Sequence, residues 1–463
     1  VIIVKFGGSI LKSGYDYLRA ARIVRSLVDE GKKVIVVVSA MKGITDMLLS
    51  FGSRSASDIL GTVKQRYFTS LEEIAPPIDP QLVDIVGEMS RLSSELTKAL
   101  WAAKVLEEIS PRVRDYIVSF GERFSILLMS AALRKVGLKC KWFTGREAGI
   151  VTDASFGDAK PLHEVSKKLV TDTLGPVLEE DVIPVVAGFI AGTIEGTVTV
   201  LGRGGSDYTA TLLASYLGAK EVRLYTDVPG IMSIDPSISS DARVVPLMSF
   251  DEAMELAYLG AKNFHPRALE PATENLIPVR IKNTFSPEKA GTLITRHEPP
   301  LLSRIVKAVA LIRGVAILTI EGAGIVGGAS RVAYEVYKAM NEAGINVIMS
   351  SQNASQVSIS LIIPQNALEK AVSYVKRATE GLEGTLRIEV EDDVCVVGVV
   401  GAGMRGTPGV AARVFSAIAR EGINIRMIAQ GSSELNISFV VKETDGFNAV
   451  RALHREFRLG EIS

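Results

Sequence analysis

The chain has 463 residues, enough for roughly two to four domains with their own cores, and its 47% apolar content with 6% aromatics suits a soluble, aliphatic-rich globular protein. Lys plus Arg (52) equals Asp plus Glu (52), so the formal charge is zero and no global basic field argues for nucleic acid or an anionic membrane. Two cysteines, Cys140 and Cys395, cannot frame a disulfide scaffold, and His163, His265, His297 and His454 lack ligand spacing, so neither a structural metal nor thiol chemistry is expected. No apolar run comes near the roughly 20 residues that span a bilayer, and Val1 to Lys5 reads as buried strand and not as a leader, so a cytoplasmic location is expected.

From the amino end, short β-branched runs alternate with longer helical periodicities. A strand ending at Lys5 is followed by a helix near residues 15–30 and a strand over Val34 to Val38. The block from Ser55 to Ile109 lacks strands and reads as a helical insertion, interrupted at Ala75-Pro-Pro-Ile-Asp-Pro80. A helix near 111–136 precedes strands over Val182 to Ala187 and Gly196 to Leu201, a helix over 206–217, and strands over Glu221 to Tyr225 and Pro278 to Ile281. This alternation predicts a mainly parallel α/β sheet with helices on both faces. Thr284 to Leu302, with four prolines and glycines, reads as a linker.

After the linker the chain repeats itself. Gly322-Ala-Gly-Ile-Val-Gly, Ala343-Gly-Ile-Asn-Val-Ile-Met and Ser358-Ile-Ser are echoed by Gly401-Ala-Gly-Met-Arg-Gly, Glu421-Gly-Ile-Asn-Ile-Arg-Met and Asn436-Ile-Ser, at a period of roughly 78 residues. Each copy reads as a β-α-β-β-α-β unit of the ferredoxin-like kind. Both glycine turns match G-x-G-x-x-G, but the following strands end in Ser350-Ser-Gln-Asn353 and Ile428-Ala-Gln-Gly431, without the carboxylate that would hold a dinucleotide's ribose. A pocket for a small zwitterion suits them better. The expected domains are 1–300, 301–391 and 392–463. Gly324, Asn346, Gln352, Asn353, Gly403, Asn424 and Gln430 are candidate effector contacts, and pairing of these units predicts a homodimer or larger assembly through residues beyond about 305.

Two segments of the first domain carry chemistry. Leu201-Gly-Arg-Gly-Gly-Ser-Asp-Tyr208 lies between a strand and a helix, where the N–H groups of Gly204, Gly205 and Ser206 are expected to be free for an anion; a plain turn capped by Ser206 or Asp207 would leave the same pattern. Val4-Lys-Phe-Gly-Gly-Ser9 places a lysine at a strand end before two glycines, the parts of a phosphate loop in an order other than Walker A. Both loops are expected at the carboxyl ends of parallel strands, facing one crevice. Ser39 to Thr45, Phe120-Gly-Glu122, Tyr225 to Ile231, Ile234-Asp-Pro236 and Leu259-Gly-Ala-Lys-Asn263 add polar groups.

The combination of Lys5-Phe-Gly-Gly-Ser9, Gly43-Ile-Thr45, Gly121-Glu122, Gly188-Phe-Ile190, Gly202-Arg-Gly-Gly-Ser-Asp-Tyr-Thr209, Thr226-Asp-Val-Pro-Gly230, Asp235-Pro236 and Gly260-Ala-Lys262 resembles the aspartate kinases of the amino-acid kinase family, and the tandem repeat resembles their paired ACT domains. The resemblance covers essentially the whole chain. It implies an amino-acid-kinase-type three-layer fold followed by two ACT domains, and ATP-dependent, Mg²⁺-assisted phosphorylation of the L-aspartate side-chain carboxylate. That reaction opens lysine, threonine and methionine biosynthesis, and either lysine or threonine is an expected feedback effector.

On that resemblance Lys5 bridges the transferring phosphoryl group, with Gly7, Gly8, Ser9, Gly204 and Gly205 around the phosphates, and Asp207 orients Lys5 or a magnesium-bound water. Arg203 is expected at a substrate carboxylate and Glu122 at its ammonium, with Ser39, Thr45, Phe189 and Ser206 lining the substrate site. Thr226, Asp227, Met232, Asp235, Lys262 and Asn263 match nucleotide contacts. The chain departs from the family at Ile10, where a hydroxyl is usual, at Met232, where tyrosine is common, and at Ser237, where arginine is common, all of which bear on ATP affinity. No segment follows Ser463 for a fused homoserine dehydrogenase, so a monofunctional kinase is expected. A kinase of another small carboxylate and a non-catalytic amino-acid-binding regulator are the alternatives.

Overall fold

The computed structural model describes residues 1–463 apart from 77–78, 108, 261–264, 297–303, 323–328, 353–357, 381–385 and 462–463. The chain divides into two compact units, Val1–Ile231 with Pro246–Phe250 and Asn263–His297, and Met232–Val245 with Asp251–Lys262 and Glu298–Ser463. The sequence reading places Met232–Val245 in the first domain. It packs with the second unit because its partners lie there: Ser233 Oγ meets His454 Nε2 at 3.0 Å, Val309 N donates to Ser233 O at 2.8 Å, and Arg451 Nε donates to Ile238 O at 2.8 Å.

The first unit starts with β1 (Ile2–Phe6), α1 (Gly14–Asp29), β2 (Val34–Val38) and α2 (Ile44–Leu49). The helical insertion is α3 (Ala56–Ile74) and α4 (Val83–Leu106), and α5 (Pro111–Val118), α6 (Phe120–Lys135), β3 (Cys140–Phe143), α7 (His163–Glu179) and β4 (Ile183–Ala187) follow. A hairpin of β5 (Ile190–Gly192) and β6 (Val198–Val200) leads into α8 (Gly205–Leu217) and β7 (Glu221–Thr226). The last elements are β8 (Leu247–Ser249), α9 (Phe250–Tyr258), through which the chain passes into the second unit, α10 (Glu270–Glu274), β9 (Val279–Asn283) and β10 (Thr292–Thr295).

Eight strands form one sheet in the order β3-β4-β2-β1-β7-β9-β10-β8, parallel except for β9 with β10. All five residues of β2 and of β4 are buried, as the unbroken Val/Ile runs require of strands covered on both faces. β1 pairs with β2 on one side and with β7 on the other, and the onward connections from β1 and β7 run in opposite directions. The sheet therefore reverses its winding between β1 and β7, and the loops after these two strands open on that switch point.

Two details differ from the sequence expectation. Part of the expected linker is β10: Gly291 at φ +69° brings its backbone so close to Ile281 O that a Cβ would stand 1.9 Å away, and Thr292 and Ile294 are fully buried. Also, the expected helix near 111–136 is α5 and α6 running on as one stretch, Pro111–Lys135, but it is long and apolar enough by composition to cross a bilayer, where no such run is expected from the sequence. Its most apolar window is 89% buried within the fold, the mark of a core helix. Tyr17 OH shares a 2.7 Å hydrogen bond with Ser125 Oγ, Tyr67 OH donates to Gly121 O at 2.7 Å, and the Tyr67 and Phe124 rings stack at 4.9 Å. The insertion is seated at Gly14, where the chain passes close against Ser70 O and Gly14 N donates to Glu73 Oε2 at 2.6 Å.

The second unit holds β11 (Ala308–Gly322), α11 (Ala329–Glu342), β12 (Met349–Gln352), β13 (Ser358–Pro364) and α12 (Leu368–Thr379). They are followed by β14 (Leu386–Val400), α13 (Val410–Arg420), β15 (Met427–Gln430), β16 (Asn436–Lys442) and α14 (Gly446–Glu456), all strands joining one sheet in the order β12-β13-β11-β14-β16-β15. The two 15-residue strands β11 and β14 pair along their length with a register break after Ile312, where Gly314 sits at φ +69°. Leu318 and Ile320 join the core under α11 and α12, whereas Val309, Cys395, Val397 and Val399 join the core under α13 and α14. Each ferredoxin-like module thus takes half of both long strands. The expected cut between residues 391 and 392 falls inside this shared ribbon, and Ala308–Ile312 completes the second module before the first begins. In the same unit Glu252 and Lys307 form a fully buried ion pair at 2.7 Å, and Glu252 Oε1 also accepts from Ala402 N at 2.5 Å.

Candidate active site

At the carboxyl end of β1, Lys5 projects beside the Gly7-Gly8 turn and pairs with Asp207 on the first turn of α8, Nζ to Oδ1 2.6 Å, both side chains nearly nine-tenths buried. That one contact joins the two glycine loops. Gly7 N donates to Tyr225 O at 3.4 Å, while Gly8 runs so close to Ala40 O that a Cβ would stand 2.9 Å from it. Across the switch point Asp227 Oδ1 accepts from Ser9 Oγ at 3.3 Å and from Thr226 Oγ1 at 3.1 Å, tying the loop after β1 to the loop after β7.

The second loop is built differently from expectation. It follows β6, which belongs to the antiparallel β5–β6 hairpin and not to the main sheet. Gly205 N is not free but closes a turn onto Gly202 O at 3.1 Å, which leaves Gly204 and Ser206 as the amides without a backbone partner among the described residues. Gly202 and Gly204 both lie at positive φ, and a Cβ on Gly204 would meet His265 Cβ at 2.3 Å. Gly188 brings the end of β4 against Ser206, where a Cβ would stand 2.7 Å from Ser206 Cβ. Phe189 takes φ +65°, uncommon for a large side chain, and is held there by Thr209 Oγ1 accepting from Phe189 N at 3.1 Å and by Leu201 N donating to Phe189 O at 2.8 Å.

Glu122, in the first turn of α6, is 2% exposed. Its Oε1 accepts from Ala40 N at 3.1 Å, and its Oε2 is shielded from solvent without a hydrogen-bond partner among the described residues. Burial pushes this carboxyl up to about 8, against the pull of the Ala40 and Glu122 amides. A buried acid with an open lone pair next to the first glycine loop is suited to receive a cation. Arg203 is exposed and makes no ion pair among the described residues, so its guanidinium is free for a ligand carboxylate. Ser39 is held by its amide donating to Phe6 O at 3.2 Å, and Thr45 lies in the first turn of α2.

Met232 and Asp235 fall in the second unit, where Asp235 Oδ1 caps its own turn by accepting from Ser237 N at 2.8 Å and Ser237 Oγ at 2.7 Å. Lys262 and Asn263 lie outside the described residues, as do Gly324 and Asn353. Of the other candidate effector positions, Asn346, Gln352, Asn424 and Gln430 are exposed, with Gln352 and Gln430 on the edge strands β12 and β15. Gly403 lies in a short turn where its bare Cα packs on Arg304 O, 2.5 Å from where a Cβ would stand.

Sequence reasoning missed Arg267. It ion-pairs with Asp158, donates to Leu201 O at 3.1 Å and Ala159 O at 3.3 Å, and lies over the Tyr208 ring at 4.6 Å, pinning the Arg203 loop from behind. Its neighbour His265 is held below the usual imidazole range by burial first and then by Arg267 and Arg203, which favours the uncharged ring beside the loop. Nothing near Pro266-Arg267 in sequence marks either residue, because their partners lie between about 60 and 110 positions away.

Residues 1–283 match the Amino acid kinase family, and 318–378 and 397–457 each match an ACT domain. Along its whole length the chain is 33% identical to Aspartokinase 1, chloroplastic, of Arabidopsis thaliana, covering 81% of that protein. It is also 33% identical, over 99% of its length, to a bifunctional aspartokinase/homoserine dehydrogenase of Zea mays, of which it spans half. Among solved structures it resembles E. coli aspartokinase III in complex with aspartate and ADP (R-state), with a TM-score of 0.82 at 31% identity, covering 98% of this chain and 99% of that one. The same enzyme in complex with lysine and aspartate (T-state) gives a TM-score of 0.82 at 32% identity, covering 99% of both chains. With a mainly parallel sheet, glycine loops meeting at its switch point, and paired ferredoxin-like modules later in the sequence, the chain belongs to the aspartokinases of the amino acid kinase family.

Proposed function

We propose that this chain transfers the γ-phosphoryl group of ATP to the side-chain carboxylate of L-aspartate, and that the carboxyl-terminal modules regulate the reaction by binding a pathway amino acid. The Lys5–Asp207 pair carries the reading, because it sets one cation, oriented by a carboxylate, where both glycine loops converge. A phosphoryl group in transfer spreads charge over its equatorial oxygens and needs positioning and electrostatic stabilisation more than covalent help. Lys5 Nζ and the amides of Gly8 and Gly204 supply that stabilisation. The acceptor carboxylate is already ionised at neutral pH, so no general base is required. Arg203 receives the α-carboxylate and Glu122 the ammonium, which fixes the side-chain carboxylate toward the phosphate.

Among the described residues no group of three or more His, Cys, Asp or Glu side chains forms a metal cage. When bound with ATP, Mg²⁺ would neutralise phosphate charge, and Asp207 and Asp227 are the carboxylates of the two loops that would hold its water shell. Lysine is the first effector to test, since the E. coli relative is solved with it, and threonine is the second. Pairing with a second copy of the chain would run through β12 and β15, the end strands of the second unit's sheet.

A coupled ADP-release assay with aspartate, glutamate, N-acetylglutamate, carbamate and UMP tests the substrate. Turnover confined to any acceptor other than aspartate would refute it. Titration of the same assay with lysine and threonine tests regulation, which requires an effector that binds two conformational states unequally.

A further inference from the structure

The helical insertion carries a groove of about 760 Å³ between α3 and α4 that plays no part in the site described above. One wall is a helical stripe of hydroxyls on α4, Ser90, Ser93, Ser94 and Thr97, and the other is Lys64, Gln65 and Phe68 on α3. Lys98 also lines it, and among the described residues no acidic side chain does. Two of the hydroxyls are already committed as donors, Ser90 Oγ to Val86 O at 2.9 Å and Thr97 Oγ1 to Ser93 O at 2.7 Å. Ser93 is different: the residue is 5% exposed, its Oγ is shielded, and it has no hydrogen-bond partner among the described residues. A hydroxyl left so costs about 1–3 kcal/mol in its own right, whereas alanine in the same helix would cost nothing. Lys64 and Lys98 likewise make no ion pair among the described residues, although Arg91 on α4 and Arg123 and Arg134 on α6 all do.

We propose that this groove binds a small anion with an apolar body: the head group takes Lys64, Lys98 and the Ser93 hydroxyl, and the body lies on the half-buried Phe68 ring. Two ammonium groups and a donor hydroxyl recognise a carboxylate or a phosphate alike, through charge-assisted hydrogen bonds. The aromatic floor selects against bare inorganic ions. Nothing in this assignment depends on the kinase reading, because none of its residues touches the glycine loops.

The test is calorimetric titration of the full chain, with excess ADP present, using phenyl phosphate and benzoate as probes. Saturable one-site binding of at least one probe is expected, weakened about tenfold or more in the Lys64→Ala/Lys98→Ala double variant. Which probe binds identifies the head group. Ser93→Ala is expected to weaken binding without lowering the thermal unfolding midpoint, since no hydrogen bond within the fold is lost. Failure of both probes to bind saturably, equal binding to the double variant, or a lowered midpoint for Ser93→Ala would each overturn the proposal. So would a dimer that closes the groove and dissociates on Ser94→Arg. Kinase turnover in the double variant separates the two readings, because it is expected to continue whatever the binding result.

Discussion

Glu122→Gln is the sharpest single perturbation. The carboxyl is buried and titrates at about 8 in the folded chain, against 4.5 when solvated. Below pH 4.5 both states hold the proton and the group contributes nothing to the pH dependence. Between 4.5 and 8 the unfolded chain has released it and the folded chain keeps it, so stability falls as pH rises, and the loss levels off above 8. At about 1.4 kcal/mol per pH interval of one, raising the pH from 5 to 8 removes on the order of 4 kcal/mol. Tyr17 and Tyr67, which feel the Glu122 charge, are raised well above this range by burial and stay neutral throughout. Glutamine keeps the acceptor facing Ala40 N and cannot ionise, so the variant is expected to match the parent at pH 5 and to exceed it by a few kcal/mol at pH 8. Both tryptophans, Trp101 and Trp142, lie in the first unit, so fluorescence-detected urea unfolding at pH 5, 6, 7 and 8 reads that unit alone. Parallel pH profiles for the two proteins would refute the buried-acid assignment. If Glu122 receives the substrate ammonium as proposed, that cation favours the ionised form, so aspartate binding below pH 8 should release a proton, seen as a buffer-dependent heat that vanishes in the variant.

Lys5→Ala is expected to fold and to lose kcat by roughly a thousandfold, the scale of losing one preorganised charge at the reacting oxygens; wild-type turnover from the purified variant would disprove its role. Arg203→Ala, changing an exposed side chain with no ion pair, should raise KM for aspartate by about a hundredfold while leaving the unfolding midpoint within experimental error. Gly204→Ala places a Cβ 2.3 Å from His265 Cβ at φ +70°, so both stability and activity should fall, by about 2 kcal/mol or more for stability, as differential scanning calorimetry would show. Lys307→Met removes one partner of the fully buried pair with Glu252 and should destabilise the second unit by about 3–5 kcal/mol; a change below about 1 kcal/mol would show that the pair is not electrostatically coupled as its 2.7 Å geometry indicates.

What the sequence determined by itself was local or combinatorial. The apolar runs of β2 and β4 announce a sheet covered on both faces, and the 78-residue echo announces two modules, because periodicity and repetition are written in near neighbours. Lys5, Gly8 and Asp207 were legible because a strand end, a glycine turn and a helix start each have a short signature, whereas Glu122, inside the helix expected near 111–136, was marked only by the resemblance to a known family. The tertiary structure alone decided how they meet: that Lys5 pairs with a carboxylate 202 residues away, that Glu122 Oε2 is sealed from water, and that Arg267, unmarked in sequence, holds the Arg203 loop. It also turned part of an expected linker into β10 and shared β11 and β14 between both modules. Strand pairing, burial and desolvation are set by which distant segments come together, and a hydrophobic pattern read in one segment carries no record of its partner.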